Sequence, residues 1–167
     1  MTELRTARLV LRRAIASDIL AIHAILSSPE AMRYWATLPH VSMAETETWF
    51  EAQFFSGDPA RDEWVIVEDG RVIGNIGIWK MPEMGFILHP DAWGRGLATE
   101  AATAFLTYAF TAYPIEAVTA DVDPRNAASL KLLQRLGFAV TGTAENTFLV
   151  GDEWCHSVYL ALPRPIA

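Results

Sequence analysis

The 167-residue sequence has a single cysteine, Cys155, and its 13 basic residues are outnumbered by 20 acidic ones, giving a net charge of −7. A lone cysteine excludes an internal disulfide and is typical of reducing compartments, so we expect a cytoplasmic protein. No apolar run reaches the roughly 20 residues that a membrane-spanning helix needs, and no membrane partner is predicted. Scattered basic residues disfavour nucleic acid as a partner, because phosphate backbones require a basic surface. An acidic surface tolerates a cationic substrate such as an amine.

The chain also lacks repeats, low-complexity tracts and a linker-like segment. Its length is near that of one domain, and its composition, 51% hydrophobic and 20% charged, is typical of globular proteins. We therefore predict that residues 1–167 form one domain. No cluster of His, Cys, Asp or Glu has the spacing of a metal site, so no metal is predicted.

Hydrophobic periodicity and turn signals predict seven strands and four helices. Ser17 or Asp18 could cap the first helix, and Ser42 with Glu45 forms a capping box for the second. The strands are expected over residues 6–13, 64–68, 72–79, 83–88, 117–122, 138–143 and 154–162, and the helices over 19–26, from 42 onward, 98–112 and 126–136. This order predicts an α/β domain, of the α+β type, with a mostly antiparallel sheet.

A glycine-rich loop follows the predicted strand of residues 83–88 and leads into a long helix. Its residues Gly94, Gly96 and Ala98 leave the backbone almost unshielded. At a helix start, free N–H groups and the positive end of the helix dipole favour an anion, ideally a phosphate. A tight strand-to-helix turn has the same composition, so the loop alone does not decide between the two interpretations.

Other glycine-rich phosphate loops do not fit this chain. A P-loop needs a Gly-Lys pair, and the sequence contains none. A dinucleotide-binding loop needs a third Gly or Ala where this chain has Thr99, and it normally opens the first βαβ unit of its domain. Here an antiparallel hairpin and more than 80 residues come first. The kinase loop is excluded because neither an H-R-D nor a D-F-G motif follows.

A second motif lies one strand–helix unit after the loop, where Asn126-x-x-Ser129 precedes Leu136-Gly137-Phe138. Together the two motifs resemble the GNAT acetyltransferase superfamily. Its acetyl-CoA motif, R/Q-x-x-G-x-G/A, is similar to residues 93–98, except that Trp93 stands where Arg or Gln is usual. The wider pattern, residues 6–12, 72–77 and 154–159, resembles the branch that acetylates the N-termini of ribosomal proteins.

The resemblance implies a GNAT fold, which is a single mixed, mostly antiparallel sheet flanked by about four helices. The sheet is expected to splay open between the fourth and fifth strands, here residues 83–88 and 117–122. It further implies acetyl-CoA as co-substrate and direct attack by a primary amine in a ternary complex. The residues that it predicts to contact acetyl-CoA are Phe86, Ile87, Leu88, Trp93, Gly94, Arg95, Gly96, Leu97, Ala98, Thr99, Asn126 and Ser129.

Catalytic roles follow from the same resemblance. Ser129 matches the serine proposed to serve the leaving thiolate in the ribosomal branch, whereas the tyrosine of many members corresponds to Leu133. Glu83, on the splayed strand, is the best-placed carboxylate for a general base, acting directly or through a water molecule, with His89 and His156 as further candidates. The residues predicted to line the acceptor cleft are Tyr34, Trp35, Glu83 and the loop of residues 148–154.

The acceptor class is constrained by pKa values. A peptide α-amine has a pKa near 7.7–8.0 and costs roughly 1 kcal/mol to deprotonate at pH 7, whereas a lysine amine near 10.4 costs about 4.6 kcal/mol. This difference favours an N-terminal α-amine. The alternatives are a small-molecule acetyltransferase, acting on an amino acid, polyamine or antibiotic, and a non-catalytic module that senses acyl-CoA. The oligomeric state stays open between monomer and homodimer.

Overall fold

The computed structural model describes residues 3–166. They form eight strands, which belong to one sheet, and four helices. The strands are β1 Leu4–Arg5, β2 Leu9–Arg12, β3 Asp62–Glu68, β4 Arg71–Lys80, β5 Glu83–Leu88, β6 Ala117–Val122, β7 Ala139–Val150 and β8 Glu153–Pro163. The helices are α1 Ile19–Leu26, α2 Met43–Phe50, α3 Leu97–Ala112 and α4 Ala127–Arg135, and α2 continues as a π-helical turn over Glu51–Phe55. Within residues 3–166, none of the helices has the length and apolar character needed to cross a membrane.

The sheet runs in the order β1-β2-β3-β4-β5-β6-β8-β7, and every neighbouring pair except one is antiparallel. The exception is the parallel pair β5 and β6, which share a single aligned pair, Glu83 with Thr119. Beyond that point the two strands diverge. The predicted mixed, mostly antiparallel sheet with an opening between these strands is therefore confirmed.

The predicted opening strand over residues 6–13 is present but shorter, because β2 covers only Leu9–Arg12 and a turn at residues 6–8 separates it from the additional short strand β1. The amide of Thr6 donates to the carbonyl of Leu9, and the amide of Leu9 donates to the Thr6 hydroxyl, both at 2.9 Å. The chain folds back as a hairpin that pairs Leu4 with Leu11. The sheet consequently has eight strands, and the opening lies between the fifth and sixth rather than the fourth and fifth.

Helices cover both faces of the sheet. The face that packs against α3, called the α3 face, includes Trp64 and Ile66 of β3. The opposite face, called the α1/α2 face, includes Val65 and Val67, which pack against α1 and α2 together with Ile87 of β5. This division follows from the alternation of side chains along a strand. It places one hydrophobic layer on each face of the sheet.

The N-termini of α1 and α2 show which of the predicted helix caps are present in the structure. Ser42 caps α2 as predicted by accepting from the amide of Glu45 at 3.3 Å. Asp18 does not cap α1, because its buried carboxylate accepts instead from the guanidinium of Arg12 at 2.7 and 2.9 Å and from the amide of Ile15 at 2.9 Å. The Asp18 side chain is therefore bonded to partners outside α1 and does not cap that helix.

Candidate active site

A cavity of about 580 Å³ lies between the C-terminal half of β5 and α4. Most of the side chains that the sequence predicted for the site are on its wall. They are Tyr34 and Trp35 from the segment between α1 and α2, Phe86, Ile87 and Leu88 from β5, Trp93, Gly94, Gly96, Leu97, Ala98 and Thr99 from the loop and the start of α3, and Asn126 and Ser129 from the start of α4. Arg95 and Glu83 are not on the wall.

The glycine loop presents an uncapped helix start to this cavity. Gly94 and Gly96 have φ values of +71° and +76°, a left-handed conformation that disfavours other residues. Gly96 is the N-cap of α3, and no side chain caps the helix there. The amides of the first turn, which includes Leu97 and Thr99, therefore face the cavity without a side-chain partner. This is the arrangement that binds phosphate groups at helix starts.

Two loop side chains have structural partners. The indole Nε1 of Trp93 donates to the carbonyl of Leu88 at 3.0 Å, which ties the loop to the end of β5. Arg95 turns away from the cavity, because its guanidinium makes two hydrogen bonds with Glu68 at 2.6 and 2.8 Å. Only the backbone of Arg95 thus belongs to the loop surface. The structure gives its side chain a tethering position instead of a place on the cavity wall.

The main chain of β5 has one free edge at the opening. The amide of His89 donates to Ile73 of β4 at 2.8 Å, so the polar groups of Ile87, two residues back, also face β4. Those of Phe86 and Leu88 alternate to the other side, toward the gap. Because the Leu88 carbonyl already accepts from Trp93, an extended ligand in the gap could pair with the main-chain groups of Phe86 and with the Leu88 amide.

The start of α4 brings Asn126 and Ser129 together. The side-chain oxygen of Asn126 accepts from the amide of Ser129 at 3.1 Å and so caps the helix. Ser129 is part of the cavity wall, whereas Leu133 is only 1% exposed and belongs to the hydrophobic core. The position occupied by tyrosine in the resembling family therefore cannot supply a group to the cavity here.

Glu83 lies at the narrow end of the opening, where β5 and β6 still pair. Its carboxylate accepts from the indole of Trp79 at 2.9 Å. Burial raises the pKa of Glu83, and the negative charge of Asp121 on β6 raises it further, while the bond from Trp79 opposes both. Burial also raises the pKa of Asp121, which accepts from Ser157 at 3.0 Å. The α1/α2 face therefore carries two partly desolvated carboxylates beside the gap.

Several weaker sequence candidates have other roles. The predicted loop of residues 148–154 is wrong, because these residues belong to the β7–β8 hairpin and none of them lines the cavity. His89 accepts from the amide of Asp91 at 3.2 Å, and His156 accepts from the amide of Asn146 at 3.0 Å. Within residues 3–166, no group of three or more His, Cys, Asp or Glu side chains is placed to hold a metal ion.

Three basic residues of the cavity wall, Arg33, Lys131 and Arg135, were missed by the sequence reasoning. Lys131 and Arg135 are one turn apart on α4, on the same side of the helix, and both line the cavity. Basic residues at this spacing are ordinary on an exposed helix, which is why they gave no signal. With the uncapped start of α3, they give the cavity two separate means of holding a polyphosphate.

Residues 8–139 match the family described as the acetyltransferase (GNAT) domain. The chain belongs to this family. An uncharacterised N-acetyltransferase of Bacillus licheniformis is 28% identical to it over 151 residues, which cover 85% of each chain. This family membership makes the protein an acetyl-CoA-dependent N-acetyltransferase that transfers acetyl to an amine, and acetyl-CoA is its acyl donor.

Two solved structures show how far the fold of this acetyltransferase is shared. The spermidine N-acetyltransferase of Vibrio cholerae, in complex with CoA and spermine, has a TM-score of 0.83 at 21% identity, covering 95% of this chain and 97% of the other. The Salmonella typhimurium acetyltransferase that modifies the N-terminal serine of a 50S ribosomal subunit protein has a TM-score of 0.86 at 16% identity, covering 97% and 99%. The predicted GNAT fold is confirmed.

The basic pair on α4 leads to a prediction about affinity for the acyl donor. We expect Lys131→Gln with Arg135→Gln to raise the KM for acetyl-CoA about tenfold or more, since each charge-assisted hydrogen bond contributes about 1.5–3 kcal/mol. The KM for the amine should stay unchanged. Initial rates with varied acetyl-CoA check the effect, and Arg71→Gln, an exposed residue at the start of β4, is the control. An unchanged KM in the double variant contradicts the assignment.

Proposed function

We propose that this acetyltransferase acetylates the N-terminal α-amine of a protein or peptide, by direct attack of the amine on acetyl-CoA in a ternary complex. The observation that carries the proposal is the kind of base available at the gap. Among residues 3–166 no histidine lines the cavity, whose one acidic wall residue is Glu30, and the carboxylates of Glu83 and Asp121 beside the gap have pKa values raised by burial. Such bases match an α-amine with a pKa near 7.7–8.0 better than a lysine-type amine near 10.4.

In this proposal the donor occupies the cavity and the amine approaches from the α1/α2 face. The amides that open α3, from Gly94 to Thr99, hold the diphosphate. The free main-chain groups of Phe86 and the Leu88 amide face the pantetheine arm, and one of these two amides stabilises the oxyanion that forms on the acetyl group. The hydroxyl of Ser129 hydrogen-bonds the leaving thiolate. Tyr34 and Trp35 form the rim of the amine side.

Glu83 is proposed to bind the ammonium form of the acceptor. Its carboxylate is already oriented by Trp79 and lies near Asp121, so the local field at this end of the gap is negative. A negative field raises the local concentration of a cationic substrate. The predicted cytoplasmic location and the single N-acetyltransferase domain over residues 1–167 belong to the same proposal.

A polyamine or another small amine is the second candidate acceptor. It is favoured by the acidic pair Glu83 and Asp121, because an extended polycation would satisfy both carboxylates at once. The two structural relatives modify a polyamine and a protein N-terminus respectively, so the shared fold does not choose between the acceptors. A non-catalytic acyl-CoA-sensing module is the remaining alternative, and it predicts binding without turnover.

The test is thiol release from acetyl-CoA over an amine panel. Peptides with a free N-terminus, their N-acetylated counterparts, spermidine, free amino acids and an aminoglycoside are compared by kcat/KM. We expect the free N-terminal peptides to exceed every other amine by about tenfold or more, given the difference in deprotonation cost. Higher kcat/KM for spermidine would select the second candidate, and no turnover of any amine would select the sensing module.

Ser129→Ala tests the proposed thiolate partner. We expect kcat to fall about 10²-fold, the lower end of what one hydrogen-bond donor to a developing negative charge contributes, with the KM for acetyl-CoA unchanged. Thr103→Ala is the control, because Thr103 is exposed on α3 and its hydroxyl bonds only the carbonyl of Thr99 one turn earlier. Equal kcat values for the two variants would remove Ser129 from the mechanism.

A further inference from the structure

A row of three residues on the α1/α2 face has no role in the function described so far. Glu63 of β3 pairs with Gly77 of β4, and Gly77 pairs with Gly85 of β5. Glu63 precedes Val65 by two residues and therefore shares its face of the sheet. The row thus leads across the sheet from a carboxylate, over two positions without side chains, to the strand that borders the gap.

The two glycines of this row differ in what covers them. A Cβ atom on Gly77 would lie 2.6 Å from Oε2 of Glu63, so the carboxylate extends over Gly77 toward β5. A Cβ atom on Gly85 would meet no heavy atom of residues 3–166 within 4 Å. The space above Gly85, called the Gly85 pit, is therefore open and has the Glu63 carboxylate on one side.

Asn75 lies in the next row, paired with Val65 and with Ile87, and is only 3% exposed. Its Nδ2 donates weakly to Oε2 of Glu63 at 3.4 Å, while its Oδ1 has no hydrogen-bond partner among residues 3–166. The Oδ1 atom is itself inaccessible, so leaving it without a partner costs about 1–3 kcal/mol, and Asn75 acts on the site only through its bond to Glu63. The Glu63 carboxylate beside the open pit complements a group that only donates, such as an ammonium.

The pit lies on the same strand and the same face of the sheet as one residue of the cavity wall. Ile87 lies two residues from Gly85 on the same face and lines the cavity wall. Neighbouring strands are about 4.8 Å apart, so a carboxylate lying over β4 is roughly one strand spacing from the space above β5. That distance corresponds to one bridging water molecule between Glu63 and an amine above Gly85.

We propose that Glu63 forms the inner end of the amine site and removes the proton of the incoming ammonium, directly or through one water, while Asn75 Nδ2 holds the Glu63 carboxylate in place. This assignment deepens the proposed transfer to an α-amine and rests on it. It concerns a residue of β3 for which the sequence offered no signal. Glu83, two residues before Gly85, then binds the acceptor at the outer end of the same face.

The proton balance of the step is complete. The ammonium transfers one proton to the Glu63 carboxylate, and the freed electron pair of nitrogen forms a bond to the thioester carbonyl carbon. The carbon–sulfur bond breaks and CoA leaves as thiolate. The second proton of the amine nitrogen passes to the sulfur, and the proton on Glu63 is released to solvent. The products are the N-acetylated amine, CoA thiol and one proton.

The charge environment of Glu63 suits this role. Burial raises its pKa to about 7, with Asp62 adding to the increase and Asn75 and Arg61 opposing it. Arg13 donates to the main-chain carbonyl of Glu63 at 3.3 Å and not to its carboxylate. A base works best when its pKa lies near the working pH, and a value of about 7 is within one unit of a peptide α-amine.

The experiment compares Glu63→Gln with Glu83→Gln, using the amine that the native enzyme acetylates fastest in the panel and measuring kcat from pH 6 to 9. In the native enzyme we expect kcat to fall below an inflection near the pKa of about 7. Glu63→Gln should lose this inflection and lower kcat about 10²-fold at pH 7.5, with an unchanged KM for acetyl-CoA and an unchanged melting temperature. Glu83→Gln should keep the inflection and raise the KM for the amine. An inflection retained in Glu63→Gln, or lost in Glu83→Gln, overturns the proposal.

Gly85→Leu supplies a second test that leaves Glu63 intact. The added side chain fills the Gly85 pit, so we expect acetylation of the amine to fall about 10²-fold or more through loss of productive positioning. CoA affinity, measured by titration calorimetry, should be preserved, because the main chain of β5 is unaltered. Native-like turnover in Gly85→Leu contradicts the proposed site. A native enzyme that acetylates no amine refutes the proposed function itself, which separates the two failures.

Discussion

Placing a carboxylate at the start of α3, in Thr99→Glu, is expected to raise the Kd for CoA about 10²-fold. Thr99 is on the cavity wall, in the first turn of the helix whose N-cap is Gly96. A negative charge about 5 Å from one phosphate charge costs about 3 kcal/mol at an effective dielectric constant of about 20. The same charge stabilises the helix by about 0.3–1 kcal/mol through the dipole, so the melting temperature should not fall. A weaker affinity for CoA in this variant can therefore not be attributed to a loss of stability.

The matched control is Thr99→Gln, because a glutamine side chain has the same length as a glutamate side chain and carries no charge. Calorimetric titration with CoA at low and high salt should show a large difference between the two variants at low salt and a smaller one at high salt. Screening by ions shortens the range of the repulsion to about 8 Å at physiological ionic strength. Equal Kd values for Thr99→Glu and Thr99→Gln would mean that the diphosphate does not lie at this helix start.

Asp62→Ala is expected to lower the free energy of unfolding by about 2–4 kcal/mol, because each buried donor that loses its acceptor costs about 1–3 kcal/mol, whereas Arg13 is half exposed and can bond to water. The Asp62 carboxylate is buried and accepts from the indole of Trp64 at 3.0 Å and from the hydroxyl of Tyr113 at 2.6 Å, and it pairs with Arg13. Burial and the bond to Asp62 raise the pKa of Tyr113, which keeps its hydroxyl protonated as a donor. Removal of Asp62 leaves three donors without their acceptor.

Urea denaturation of Asp62→Ala and Asp58→Ala tests this expectation. Asp58 forms an exposed ion pair with Arg61 at 3.5 Å, and such pairs contribute about 1 kcal/mol or less. The midpoint should therefore shift strongly for Asp62→Ala and little for Asp58→Ala, with similar slopes. Comparable shifts in the two variants would show that the hydrogen bonds to the buried Asp62 carboxylate do not stabilise the fold.

The elements that sequence reasoning placed well are those with local signals. The strand of residues 83–88 has the predicted bounds, and Asn126 caps α4. Apolar periodicity, glycines and capping side chains act within one or two turns of chain, so they can be interpreted without the rest of the fold. The turn at Thr6 and the extension of β7 to Val150 were missed, although the two closing strands were predicted, because strand pairing across a sheet depends on partners that the local pattern does not name.

The site residues also divide into those with a local sequence signal and those without one. Predicted loop and α4 residues such as Gly96 and Ser129 lie on one cavity wall, since a contiguous motif leads directly to local structure. Glu63 and Asn75 could not be found, because each is an unremarkable strand residue until the register sets them beside Gly77 and Gly85. Arg95 belongs to the motif, yet a side-chain partner on β3, Glu68, directs it away from the cavity.

By itself, the sequence determined the family and the acyl donor, because the acetyl-CoA motif is a run of backbone conformations that glycines and a helix start encode locally. Only the tertiary structure decided what surrounds the amine. The raised pKa of Glu63, the unpartnered oxygen of Asn75 and the open space above Gly85 arise where three strands align under two helices. Burial and register are properties of long-range packing, and neither is written in any single segment of the chain.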